Sequence, residues 1–287
     1  MTAPRWRAAV LGSPVAHSLS PVIHRAGYAA LGLTDWDYGL AEVDEAGLPA
    51  FVAGLDGSWR GLSLTMPLKR ACLAVADEVS DLARRIGVGN TLVRLPDGRW
   101  RADNTDVAGV VAALAPRWDP SWTAIGVLGA GATALSTVFA ARELGAASVR
   151  GYARDPASAA RLAARARELG LAADARPLAD WPDGDEPVLV ATLPPGALTA
   201  DGLADAVPRA VAAPVRLRRT GPPALVFDVV YADWPTPLAR AAAAAGVPVV
   251  GGLDLLVGQA ARQFRLFTGL DAPVDAMLAA LDERGRS

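Results

Sequence analysis

The chain has 287 residues, 52% hydrophobic and 20% charged, with a formal net charge of −2 at pH 7 and an isoelectric point near 5.7. That length suits two domains, and that balance excludes a disordered chain and offers no electrostatic grip on nucleic acid or anionic lipid. A single cysteine, Cys72, excludes an internal disulfide, two histidines, His17 and His24, argue against a metalloenzyme, and the absence of a signal-peptide core or bilayer-length apolar run predicts a cytoplasmic protein.

In chain order, RAAVLG (7–12) reads as a buried strand. SPVIHRAGYAALG (20–32) reads as a helix with Ser20 as N-cap, Pro21 at its first position and Gly32 closing it. WDYGLAEV (36–43) and GLSLTMP (61–67) read as further strands around a helical stretch, AGLPAFVAGL (46–55). NTLVRLPDGRWRADNTD (90–106) predicts a hairpin turning at Pro96-Asp97-Gly98, and DVAGVVAALAP (106–116) a connecting helix. After Pro120 a fresh strand and helix begin with TAIGVLGAGATALSTVFAARELG (123–145). The alternation continues through SVRGYAR (148–154), PVLVATLP (187–194), ALVFDVVY (224–231) and VPVVGG (247–252). PVDAMLAALDERGRS (273–287) reads as a terminal helix folded back on the first unit. The pattern predicts an α/β protein of two domains with mainly parallel sheets covered by helices. No surplus apolar stripe distinguishes a monomer from a homodimer.

Lys69 is the only lysine; the other 27 basic residues are arginines. Arginine stays charged at any accessible pH, whereas lysine can be tuned to exchange a proton, so the exception suggests acid–base work. Asp106, beyond the hairpin, is a partner through which a carbonyl or hydroxyl would exchange a proton. Its alternative role is N-cap of the following helix. Gly129, Ala130, Gly131 and Ala132, in a G-x-G-x-x-A run between strand and helix, predict a dinucleotide-binding turn. The next strand ends at Ala153-Arg154-Asp155: Arg154 favours the 2′-phosphate of NADP, while Asp155 leaves NAD open.

These motifs together resemble the shikimate dehydrogenase family. The resemblance runs through GSPVAHSLSP (12–21), TMPLK (65–69), NTLV (90–93), NTDVAG (104–109), GAGATA (129–134), DVVYADWPTPL (228–238) and GLDLLVGQA (252–260), in the family's order. It implies a substrate domain of residues 1–106 completed by 253–287, and a Rossmann-type NADP domain of 107–252. It also implies reversible reduction of the 3-keto group of 3-dehydroshikimate to shikimate. Lys69 and Asp106 would be catalytic, Ser18 and Ser20 would bind the carboxylate, Thr65, Asn90 and Gln259 the hydroxyls or reacting oxygen, and Tyr231 would lie close to substrate. Thr192 and Gly252 would join the cofactor residues. The sequence departs from the family pattern at Ser63 and Leu68, which replace an asparagine and a histidine, at Arg25, and at Ala153 and Asp155. A quinate or aminoshikimate dehydrogenase using NAD, and a non-catalytic dinucleotide sensor, are the alternative readings.

Overall fold

The computed structural model describes residues 5–194, 196–198 and 223–285. The chain divides into two units: residues up to Gly109 with those from Leu256 onward, and Val110–Leu255.

The first unit holds a six-stranded sheet, ordered β2-β1-β3-β5-β6-β4. Its strands are β1 (Trp6–Gly12), β2 (Trp36–Glu42), β3 (Trp59–Leu64), β4 (Glu78–Val79), β5 (Thr91–Arg94) and β6 (Trp100–Asp103). β1 pairs in parallel with β2 and β3, and β4 with β6, whereas β5 is antiparallel to both neighbours. The burial patterns explain the placement. β1 and β3 are continuously buried over their last residues, as interior strands covered on both faces must be. β2 lies at an edge and alternates half-buried with exposed residues beyond Tyr38. The hairpin closes at Gly98 with φ +89°, a conformation that glycine adopts without strain. β4, of two residues, and the helix α3 (Asp81–Ile86) are absent from the sequence reading.

Helix α1 (Ser20–Ala30) differs from expectation at its start. The N-cap is Leu19, without a side-chain cap, and Ser20 is the first helical residue; Ser18 Oγ instead accepts from the Ser20 amide at 3.3 Å. Ser18 thus meets the amide of the first helical residue, one of the orphan donors of the helix start. Gly27 on α1 allows close approach of the two C-terminal helices: a Cβ there would meet Met277 Cε at 2.6 Å and Phe264 at 2.9 Å. Gly61 on β3 is a second such position, where a Cβ would overlap the Phe267 ring. Gly61→Ala is therefore expected to destabilise the protein by about 1–3 kcal/mol, read from the midpoint of urea unfolding.

Among the described residues of the second unit, all five strand pairs are parallel. The strands are β7 (Ala124–Leu128), β8 (Ser148–Ala153), β9 (Ala172–Pro177), β10 (Val188–Ala191), β11 (Leu225–Asp228) and β12 (Val249–Val250). The order β9-β8-β7-β10-β11-β12 is the doubly wound 3-2-1-4-5-6 arrangement, whose order reverses between β7 and β10. β9 is absent from the sequence reading because AADARP is a polar, partly exposed edge strand without β-branched residues. Helices α4 (Asp106–Leu114), α5 (Ala132–Glu143), α6 (Pro156–Glu168), α7 (Pro237–Ala244), α8 (Gly252–Thr268) and α9 (Val274–Gly285) complete the described helices after α2 (Leu48–Ala53). The two divisions between the units fall within α4 and α8. The last two residues of the expected terminal helix lie outside the described residues. Among the described residues, no helix is long and apolar enough to cross a membrane.

Candidate active site

Lys69 sits in the turn after β3. Thr65 opens that turn, its amide donating to the Leu11 carbonyl at 2.9 Å and its carbonyl accepting from Leu68. The Lys69 carbonyl accepts from Gly89, so the lysine backbone is tied to the start of the hairpin. Its side chain reaches Asp106 at the start of α4, with Nζ 2.5 Å from Oδ2. Lys69 keeps 18% of its side-chain surface exposed and Asp106 only 5%. An ion pair with one partly accessible partner can meet a ligand while the other remains in a fixed environment.

Asp106 is not the N-cap of α4. It is the first helical residue, and Asn104 Oδ1 accepts from the Val107 amide at 3.2 Å in the capping role. This frees the Asp106 carboxylate for side-chain partners: Oδ2 for Lys69, and Oδ1 for Asn90 Nδ2 at 2.8 Å. Asn90 is almost fully buried, and its second amide contact goes to Gln259 Oε1 at 3.0 Å. Asn90 Oδ1 accepts from the Thr105 amide at 2.7 Å, from Thr105 Oγ1 at 3.1 Å and from Thr91 Oγ1 at 2.9 Å. The fold thus brings Lys69, Asp106, Asn90 and Gln259 into one hydrogen-bonded group.

Ser63, one of the departures from the pattern that the resemblance implies, is buried; its hydroxyl accepts from Tyr38 and donates to Gln263. Gln263 is wholly buried and was not singled out from sequence. The available signal was its spacing, one helical turn after Gln259. Ser18 and Ser20 lie at the start of α1. Because Ser18 Oγ accepts from the Ser20 amide, its own hydrogen remains to be donated.

The second unit carries the other predicted residues. Gly129 follows β7 at the switch point, with φ +104°, and a Cβ there would stand 2.6 Å from Thr192 Oγ1. The Thr192 hydroxyl and amide both donate to the Leu128 carbonyl, at 2.9 and 2.8 Å, fastening the end of β10 to this turn. Ala130 follows, and Gly131 precedes Ala132, the first residue of α5. Gly131 has φ −81°, and a Cβ there would meet nothing within 4 Å. Neither backbone conformation nor protein packing calls for glycine, which fits a position kept open for an approaching pyrophosphate. The N-cap of α5 has no side-chain hydrogen bond, so the helix presents uncapped amides at the same point.

Arg154, exposed, follows β8. Asp155 is turned into its own helix: its carboxylate accepts from the amides of Ala157 and Ser158 and from the Ser158 hydroxyl, which holds it below the usual carboxylate range. These bonds, with Arg161 Nη2 3.7 Å from Oδ2, engage both carboxylate oxygens at the start of α6. Arg161 Nη2, 2.6 Å from Ser158 Oγ, brings a second guanidinium to this turn that sequence reasoning missed. Tyr231 lies beyond β11, and burial raises its pKa. Gly252 opens α8 against the Val229 carbonyl, which a Cβ would strike, so its glycine is explained by this close approach.

Residues 10–92 match the shikimate dehydrogenase substrate binding domain, and residues 252–281 the shikimate 5′-dehydrogenase C-terminal domain. The chain is 38% identical over 270 residues to the shikimate dehydrogenase (NADP(+)) of Sphingopyxis alaskensis, covering 93% of this chain and 92% of the relative. The chain belongs to the shikimate dehydrogenase family. The shikimate dehydrogenase of Mycobacterium tuberculosis superposes with a TM-score of 0.84 at 41% identity, covering 97% of this chain and 99% of the other. A shikimate 5-dehydrogenase from Thermus thermophilus, solved in complex with NADP(H) and shikimate, gives a TM-score of 0.81 at 35% identity, with 97% and 99% coverage.

Proposed function

We propose that the protein catalyses the reversible, NADPH-dependent reduction of 3-dehydroshikimate to shikimate, within aromatic amino-acid biosynthesis. The observation that carries this reading is the Lys69–Asp106 pair, a lone lysine held on a carboxylate in a chain that otherwise uses arginine. In the direction of reduction, Lys69 Nζ delivers a proton to the carbonyl oxygen as it becomes a hydroxyl, and takes it back in the reverse direction. Asp106 holds the ammonium in place. NADP, when bound, supplies or accepts the hydride. Ser18 and Ser20 bind the substrate carboxylate at the start of α1. Thr65, Asn90 and Gln259 position the ring hydroxyls, a hydroxyl competing with Gln259 Oε1 for one Asn90 amide hydrogen, and Tyr231 completes the substrate set.

On the second unit, the Gly129–Ala132 turn and the uncapped start of α5 hold the pyrophosphate, beside Thr192 and Gly252. Arg154, with Arg161 nearby, takes the 2′-phosphate. In this reading residues 1–106 with 253–287 form the substrate domain and 107–252 the cofactor domain. The enzyme works in the cytoplasm, as a monomer or homodimer, without nucleic-acid or membrane partners.

The test follows absorbance at 340 nm with excess shikimate and either NADP⁺ or NAD⁺. Turnover with NADP⁺ in preference to NAD⁺ is expected, and Arg154→Ser should raise KM for NADP⁺ while leaving that for NAD⁺ near its original value. No turnover of shikimate with either cofactor would overturn the assignment; turnover of quinate alone would move it to the sister activity.

A further inference from the structure

The Asp106 carboxylate is the end point of a buried chain of hydrogen bonds that begins on the edge strand β2. Tyr38 Oη donates to Ser63 Oγ at 2.6 Å, and Ser63 Oγ donates to Gln263 Oε1 at 2.8 Å. Gln263 Nε2 then donates to Thr91 Oγ1 at 3.0 Å, and Thr91 Oγ1 to Asn90 Oδ1 at 2.9 Å. Asn90 Nδ2 finally donates to Asp106 Oδ1 at 2.8 Å. Every donor points toward the carboxylate. Bonds in such a series polarise one another in the same sense, and burial prevents water from replacing a missing member. Tyr38, Ser63, Gln263, Thr91 and Asn90 are all at most 3% exposed.

The chain has one long-range joint. Tyr38, Ser63 and Thr91 lie on β2, β3 and β5, whereas Gln263 comes from α8, 200 residues from Ser63 and 172 from Thr91 in sequence. Gln263 also donates to the Asn90 carbonyl at 3.4 Å, and Gln259, one turn earlier on α8, meets the Asn90 side chain. An amide fits because it must accept from Ser63 and donate to Thr91 at once; a carboxylate or an alkyl chain does only one of these, or neither.

We infer that Gln263 is a positioning residue for the reaction: by joining Ser63 to Thr91 it fixes the orientation of Asn90, and through Asn90 that of the Asp106 carboxylate which holds Lys69. The inference rests on Lys69 and Asp106 being the proton-handling pair. Its effect falls first on the geometry of proton transfer, through Asp106, and less on the substrate hydroxyl that Asn90 positions. Loss of Gln263 therefore lowers kcat more than it raises KM.

The experiment compares Gln263→Met, Thr91→Val, the double variant, Lys69→Ala and Leu281→Ala, the last removing a buried side chain on α9 away from the chain. Steady-state rates with shikimate and NADP⁺ are set beside melting temperatures. Gln263→Met and Thr91→Val are each expected to lower kcat about 10- to 100-fold with KM for shikimate within about threefold. The double variant should be no slower than the worse single one, because either change cuts the same chain. Leu281→Ala should lose melting temperature without the loss of kcat. If Gln263→Met and Thr91→Val keep wild-type kcat, multiply their effects, or lose activity only in step with Leu281→Ala, the inference is overturned while the pair assignment stands. If Lys69→Ala is as active as wild type, the pair assignment itself fails and the inference falls with it. Thr91→Val, which keeps the shape of the side chain, preserves the test if Gln263→Met does not fold.

Discussion

Lys69→Ala is expected to lower kcat for shikimate oxidation by about 10²- to 10⁴-fold, with cofactor binding unchanged. Alanine removes the group that carries the proton and leaves Asp106, only 5% exposed, without its cation. Lys69→Arg provides the sharper comparison. It restores a positive charge beside Asp106 but not a group that releases a proton, because guanidinium stays protonated at any working pH. Arginine is therefore expected to recover folding stability and little rate. The composition makes this substitution natural to ask about, since arginine serves at every other basic position of the chain. Steady-state kinetics with NADP⁺, together with titration of NADPH by fluorescence, would separate the two effects. An arginine variant with near wild-type kcat would mean that Lys69 contributes charge alone.

The second large effect concerns stability in acid. His24, on α1, is completely buried, stacked on Tyr38 with ring centroids 4.1 Å apart and planes within 7°, and surrounded by Tyr28, Phe264 and Phe267. Neither ring nitrogen meets the geometry of a hydrogen bond, although the Gln263 amide is close enough to offset part of the effect of burial. Burial holds the pKa down to about 3, from 6.5 in the unfolded chain. Between those values the unfolded chain binds a proton that the folded protein refuses. The contribution of the neutral ring is thus intact above pH 6.5 and is lost as pH falls toward 3. The slope is about 1.4 kcal/mol per pH unit, reaching about 5 kcal/mol near pH 3. The neighbouring phenols of Tyr28 and Tyr38 have pKa values raised by burial and do not titrate in this window. His24→Phe keeps a flat ring in an aromatic pocket and removes the titration. Urea unfolding from pH 7 to 4 should show a shallower loss of stability in this variant than in the wild type, by close to one proton. Parallel curves would refute the buried neutral state.

Much of the molecule was legible from local signals. The G-x-G-x-x-A turn is a strand-to-helix feature of a few consecutive residues, and the structure places it at the switch point of a 3-2-1-4-5-6 sheet. The hairpin was legible because Pro96-Asp97-Gly98 encodes its own turn. Elements without such signals were missed: β4 spans two residues, and β9 is a polar edge strand held by its pairing with β8. Capping was misread at α1, where Ser20 is the first helical residue and Leu19 stands at the N-cap, and at α4 Asn104 takes the cap that was the alternative role of Asp106. A cap depends on the backbone angle at which the chain meets its helix, and residue type alone does not specify it.

The sequence by itself determined the class of fold and singled out candidate residues, the lone lysine, an aspartate beyond the hairpin and the glycine turn, from residue type and sequence context. Only the tertiary structure decided what those residues are doing. It spends Asp155 as a helix cap, explains Gly252 by the Val229 carbonyl, and joins Gln263 on α8 to Ser63 and Thr91 on the sheet beneath Asn90. The physical reason is range. Periodicity and turn chemistry act over a few residues, whereas a hydrogen-bond partner 200 positions away is chosen by how strands and helices pack around the core.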